Sequence, residues 1–261
     1  MKKIIAFLVV CMISGLVLAG CGSTATKAPE QKKIVVGLDD NFPPMGFRDE
    51  QNNIVGFDID MAKEAAKRLG IEVEFKPIDW SSKEAELNGK RVDALWNGMN
   101  ITEDRKKNML FSEPYMNAKQ LIFLPKDSTA KGLDDLKGKV VGIQNTSTAD
   151  EIIEANKEMK ASFKEVRKYS DCIEAFMDLQ TGRVDAVITD ETFGKYFMSK
   201  NPDKYIVLDK VIGEVGVLGI GFRKDDQQLR DKVQKVLDEM KKDGTSAKIS
   251  QKWFGADLII K

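Results

Sequence analysis

Two stretches of this chain repeat one pattern. "KIVVGLDDN" (33–41) and "KVVGIQNTS" (139–147) each run β-branched residues into a glycine, one more apolar residue and then polar ones. A helical apolar period follows each, over 57–69 and 148–159, and then a strand-like run, "IEVEFKPI" (71–78) and "ASFKEVRKY" (161–169). A second correspondence closes each half. "ELNGKRVDALWNG" (86–98) and "DLQTGRVDAVITD" (178–190) both give a helix end, a glycine, Arg-Val-Asp-Ala and a strand. Each half therefore reads strand–helix–strand–helix–strand, the pattern of a parallel sheet covered by helices. In such sheets ligands bind off the carboxyl ends of the strands. Four loops are marked out in this way, 39–42, 97–105, 145–148 and 189–192, two from each half. If the halves face each other, all four line one cleft.

The halves are not simply joined end to end. "YMNAKQLIFLP" (115–125) leads into the second, and "VLDKVIGEVGVLGIGFR" (207–223) gives further strand material after it, followed by a helical period over 229–240. Too little sequence remains for a third domain, so the simplest topology returns the chain to the first lobe. The expected fold class is α/β, with two doubly wound lobes joined by a two-stranded hinge that opens and closes over a ligand. The expected bounds are 34–118 with 211–261 for one lobe, and 119–210 for the other.

Composition narrows the chemistry. The 261 residues carry 41 basic and 41 acidic side chains and no histidine. A Ser-His-Asp triad and a histidine-ligated zinc are thereby excluded. With no basic excess or arginine-rich run, nothing points to nucleic acid, and no cofactor or metal is expected. The first twenty residues, from Lys2 and Lys3 through the apolar run 4–18, have the layout of a secretory signal rather than of a retained span. Its end, "LAGC" (18–21), resembles the lipobox of bacterial lipoproteins, which implies cleavage after residue 20 and lipidation of Cys21. Two acyl chains there suffice for stable anchoring. The mature chain would carry a net charge of −2, since Lys2 and Lys3 leave with the signal. Residues 21–33, small and polar, read as a flexible tether. Cys172, within the apolar-periodic "DCIEAFMDL", is expected in the core, leaving the mature fold without a disulfide. The absence of a second apolar span up to Lys261 argues against a receptor that drives a cytoplasmic kinase.

The loops carry the candidate site. In "WNGMNITEDR" (96–105), Thr102 is a good helix N-cap and Glu103 and Asp104 suit the positive helix end, but Arg105 gains nothing from that dipole. Arg105 can offer a guanidinium fork to a carboxylate, or it is a solvated surface residue. "QNTST" (144–148) precedes a helix and is either an anion site or a plain N-cap. Asp190, just past a strand end, can receive an ammonium group or cap the next helix. Phe42 and Trp80 follow strands among polar neighbours, where each can cover a ligand stem or serve the core.

The chain resembles the family-3 solute-binding proteins of bacterial polar amino-acid ABC transporters. The matching motifs are "GLDDNFPPMGF", "IVGFDIDMAKEAAKRLG", "NGMNITEDR", "FSEPY", "GIQNTSTAD", "GRVDAVITDE" and "DGTSAKISQKWFG", in family order from residue 34 onward. The resemblance implies a periplasmic-binding-protein fold of type II, no enzymatic activity, and a monomer that delivers a free amino acid to an ABC permease from a lipid anchor in the membrane. It implies that Arg105 clamps the ligand's α-carboxylate, helped by backbone near Gly98 and Ser147 and by the Thr146 or Ser147 hydroxyl. It implies that Asp190 holds the α-ammonium with Asn100 or the Asn97 carbonyl, that Phe42 and Trp80 sandwich the side chain, and that Asp39 lies near its end. Asn97 and Asn100 replace the usual serine or threonine. Asn145 replaces a usual glycine, and asparagine tolerates the left-handed backbone such a loop needs. The same fold serves cyclohexadienyl-type dehydratases, for which Asp39 or Glu191 would be the acid, and a chemoreceptor accessory protein would bind the same ligands. The Arg105 and Asp190 pair suits whole amino acids better than a prephenate-like diacid. Cystine, glutamine, arginine and lysine all remain open as ligands.

Overall fold

The computed structural model describes residues 32–261; the signal, Cys21 and nearly all of the tether lie outside the described residues. β1 (Lys33–Leu38) leads into a small antiparallel meander of β2 (Asn41–Phe42), β3 (Gly46–Arg48) and β4 (Ile54–Val55). Then come α1 (Phe57–Leu69), β5 (Glu72–Pro77), α2 (Lys83–Asn88), β6 (Ala94–Leu95), α3 (Glu103–Asn108) and β7 (Met109–Phe111). The next pass holds β8 (Met116–Pro125), β9 (Val140–Gln144), α4 (Thr148–Ala155), α5 (Lys157–Ser162) and β10 (Glu165–Tyr169). It continues with α6 (Cys172–Gln180), β11 (Ala186–Asp190), α7 (Glu191–Lys200) and β12 (Tyr205–Leu218). β13 (Gly221–Arg223), α8 (Gln227–Lys242) and α9 (Thr245–Phe254) complete the chain.

The repeated pattern becomes two five-stranded sheets, ordered β5-β1-β6-β13-β7 and β10-β9-β11-β8-β12. In each, the three strands of the sequence repeat form a parallel trio, β1 between β5 and β6, and β9 between β10 and β11. β13 arrives last in the chain yet sits between β6 and β7, so the C-terminal segment belongs to the first sheet. The chain thus crosses between sheets twice, through residues 112–115 and 219–220, and the crossings are bonded together. Ser112 N donates to Ile220 O (3.0 Å) and Tyr115 N to Leu218 O (3.0 Å). β8 and β12 pair antiparallel from Met116↔Leu218 to Pro125↔Tyr205, with a register shift on either side of Ile212. The fold is the expected pair of α/β lobes on a two-stranded connection.

Local sequence explains most element ends. α1 begins after Gly56 and stops at Gly70, which is left-handed at φ 68°. Between them Phe57, Ile59, Met61, Ala62, Ala65 and Ala66 are buried. Phe57 is wholly buried, and truncating such a residue to alanine costs about 3–5 kcal/mol. The helical period expected over 148–159 is instead two helices, broken at Asn156. The Asn156 side chain accepts from Met159 N (2.9 Å) and so starts a new helix, an option the apolar period does not reveal. Among the described residues, no helix is long and apolar enough to cross a membrane.

Candidate functional site

A cleft lies where the carboxyl ends of both parallel trios meet. All four loops marked out in the sequence reach it. Asp39 and Phe42 follow β1, Trp80 follows β5, and Asn97, Gly98, Asn100 and Arg105 follow β6; Ser147 follows β9 and Asp190 ends β11. Thr146 is the one expected residue that does not line the cleft: its hydroxyl is turned to Lys83 Nζ (3.0 Å). Gln144, Thr148 and Thr189 line it as well. Thr148 and Thr189 fall inside the loops named from sequence, and Gln144 is the strand residue just before one of them.

Arg105 is 2% exposed, which rules out the solvated surface arginine. It occupies the first turn of α3, where its N–H is capped by the Thr102 hydroxyl (3.3 Å) while its side chain turns to the cleft. The guanidinium is held by Glu151 (2.8 Å from Nε to Oε1), by the Asn100 carbonyl (3.0 Å) and by the Thr146 carbonyl (3.4 Å). Ser147 both lines the cleft and caps α4, accepting from Asp150 N (3.2 Å). The two backbone donors expected here are engaged inside the protein. Gly98 N donates to Asp58 Oδ2 (2.6 Å) and Ser147 N to Gln144 O (3.3 Å). The left-handed residue of this loop is Thr146, at φ 53°, and not Asn145. A β-branched residue there is strained, and the bonds on its carbonyl, hydroxyl and N–H hold it.

The acidic side is built by two carboxylates. Asp190 precedes α7 without capping it and accepts from Asn100 Nδ2 (3.2 Å). Burial pushes its carboxyl above the ordinary range, against the pull of the Gln120 and Asn100 amides and the Arg105 charge. Asp39 accepts from Asn41 N (2.9 Å) and Gln144 Nε2 (2.7 Å). Burial nevertheless raises it to about 6. Gln144 is locked by the Ser170 carbonyl (3.1 Å) and backed by Cys172, whose buried thiol lies 3.2 Å from the Thr189 hydroxyl. Cys172 is a core residue, as its helical setting implies.

Phe42 stacks on Phe193 of α7, with centroids 5.1 Å apart and planes 22° apart, so this wall is also a seam between lobes. Trp80 has Lys83 Nζ 5.4 Å from its ring centroid. The Asn97 amide, turned to satisfy its neighbours, donates to the Asp39 carbonyl (3.2 Å) and accepts from Gly46 N (3.1 Å). Its side chain therefore braces the cleft floor. Gly98 stands at φ 57°, and an added Cβ would meet Phe42 at 3.1 Å, so both backbone and space call for glycine. Beneath it, wholly buried Asp58 also accepts from the Tyr115 hydroxyl (3.1 Å), and burial raises its carboxyl to about 7.

The sequence model of the bacterial extracellular solute-binding proteins, family 3, matches residues 34–256. The chain belongs to this family. It is 33% identical over 234 residues to the L-cystine-binding protein TcyJ of Escherichia coli K12, covering 89% of this chain and 86% of that protein. It is 34% identical over 261 residues to the arginine-binding extracellular protein ArtP of Bacillus subtilis, covering 97% and 98%. Among solved structures, an ABC uptake transporter substrate-binding protein from Streptococcus pneumoniae with bound histidine superposes with a TM-score of 0.85 at 36% identity, over 88% of this chain and 95% of that one.

Proposed function

We propose that this protein captures a free α-amino acid with a cationic side chain between its lobes and, as a monomer tethered by lipid at Cys21, presents it to the permease of an ABC importer. In this reading the two lobes are those of the two sheets, exchanging at the crossings 112–115 and 219–220. The observation that carries it is the placement of Arg105 and Asp190, both at least 92% buried, on opposite lobes against one cleft. An amino acid offers a carboxylate and an ammonium only a few ångströms apart, so it can bridge that pair. Ser147 and Thr148, at the positive end of α4, face the same cleft and favour the carboxylate. Asp39 selects the side chain. It is buried, its carboxyl oxygens already accept two N–H groups, and its raised pKa marks a charge short of compensation, which a guanidinium or ammonium would supply. Phe42 and Trp80 give the aliphatic stem its apolar cover. Capture occurs without turnover.

The test is a thermal-shift screen of the twenty amino acids and cystine, since a ligand that binds only the folded state raises its melting temperature. Arginine and lysine should give the largest shifts, followed by calorimetry for affinity. Larger shifts with cystine or glutamine would refute the choice of side chain, and a new product from prephenate or arogenate by mass spectrometry would refute capture without turnover.

A further inference from the structure

Lys83 is 4% exposed, yet it does not line the cleft and the capture of a ligand leaves it without a role. It opens α2 three residues after Trp80, on the lobe of the first sheet. Its Nζ donates to the Thr146 carbonyl at 2.9 Å and to the Thr146 hydroxyl at 3.0 Å, across the gap to the second lobe. The Trp80 carbonyl lies 3.4 Å from the same nitrogen. No carboxylate takes this ammonium directly. Glu151, whose charge favours the ammonium, is bonded to Arg105, and Lys83 is pushed down to about 8, first by burial and then by the Arg105 charge. A buried lysine held only by neutral oxygens is costly to keep. Its partner is costly too, since Thr146 is a β-branched residue in the left-handed region. Two unfavourable features meet in one contact, and that contact spans the lobes.

The geometry points to Lys83 as the latch of the closed cleft, a positioning residue that grips the Thr146 turn of the second lobe and thereby holds Ser147 and Thr148 against the ligand. This rests on the amino-acid reading of the site. On this proposal the contact belongs to the closed cleft: with the lobes apart the ammonium returns to water and Thr146 keeps only the bond from its N–H to Asp150 within its own lobe. The energy of the contact therefore enters the dissociation rate. Because Lys83 does not touch the cleft, every ligand gains equally. Asp39, which lines it, discriminates.

The experiment is calorimetry and stopped-flow fluorescence with L-arginine, L-histidine and L-glutamine. The proteins are wild type, Lys83→Met, Thr146→Val and the double variant. Hydrogen bonds from a charged group of this kind imply that Lys83→Met weakens each ligand that binds by about tenfold. The loss should appear as faster dissociation, with the order of ligands unchanged. Thr146→Val removes one of the two acceptors and should weaken binding less. The double variant should bind no worse than Lys83→Met alone, because the two residues share one interaction. The ligand-free melting temperature of Lys83→Met should stay within about 2 °C of wild type, as no ligand-free contact is lost. Wild-type affinity in Lys83→Met, a reordered ligand series, or additive losses in the double variant would overturn the latch while leaving the binding site intact. A wild-type protein that binds no amino acid or cystine removes the site reading and the latch together.

Discussion

If Asp39 selects cationic side chains as proposed, lowering the pH should strip that preference before amino-acid binding is lost altogether. The group responsible is Asp39, which burial raises to about 6 although Asn41 N and Gln144 Nε2 both favour its ionised form. A cationic side chain needs the carboxylate, so its binding competes with a proton. With a pKa of about 6, roughly a tenth of Asp39 is ionised at pH 5, and arginine affinity should sit about tenfold below its plateau above pH 7. Glutamine, with a neutral side chain, should lose much less at this position. Asp190 is also raised, but in the proposed site it would hold the ammonium common to all these ligands, so the ratio of arginine to glutamine affinity cancels its effect. The sign is opposite for the ligand-free fold. A carboxyl raised from the ordinary 3.8 to about 6 binds its proton more tightly when folded, so its contribution to stability declines as pH rises through that window. Calorimetry with both ligands between pH 8 and pH 5 reads the ratio directly. In Asp39→Asn the ratio should be flat, and arginine should bind about 2–5 kcal/mol more weakly at pH 7. A flat ratio in the wild type would refute the assignment of Asp39 to the side chain.

Two further outcomes follow from the same geometry, and a third from the lipobox-like "LAGC". Arg105→Ala and Asp190→Asn should each cost thirtyfold or more in affinity, at about 2–5 kcal/mol for leaving a desolvated ligand charge unpaired, and Arg105→Lys should also lose because an ammonium cannot reproduce the guanidinium fork; calorimetry giving near-wild-type values for these variants would remove the basis of the site. Trp80→Ala should weaken an entire ligand series without reordering it, since aromatic cover adds apolar contact to any stem, and a reordered thermal-shift series would count against that role. Cys21→Ser in the native bacterium should release the chain or leave it with an uncleaved signal, and unchanged lipid labelling would sink the anchor.

Much of the architecture was legible because it is written as short-range pattern. The Arg-Val-Asp-Ala strands, the glycines before them and the 3.6-residue apolar period at 57–69 depend only on neighbours along the chain. The repeat then marked the loops, and all four reach one cleft. Arg105 stood out since a cation in the first turn of a helix gains nothing from the dipole there, and Asp190 because it ends a strand. The break at Asn156 was missed because the apolar period continues through it, while a side-chain cap decides the geometry.

What the sequence by itself determined is therefore the repeated βα units, their order, and the loops that line one cleft. Tertiary structure alone decided how those loops meet. In "SSKEAELNGK" Lys83 looks like any solvated lysine, and only the two crossings at 112–115 and 219–220 bring it to a threonine 63 positions away. The left-handed turn fell on Thr146 and not on Asn145 because cross-lobe bonds hold it there. Gly98 N was free to serve a ligand as far as its own loop could tell, yet a carboxylate 40 residues earlier claims it. Propensity and periodicity act over a few residues, whereas these contacts depend on where a hinge sets one lobe against the other, or where packing sets a helix beneath a loop.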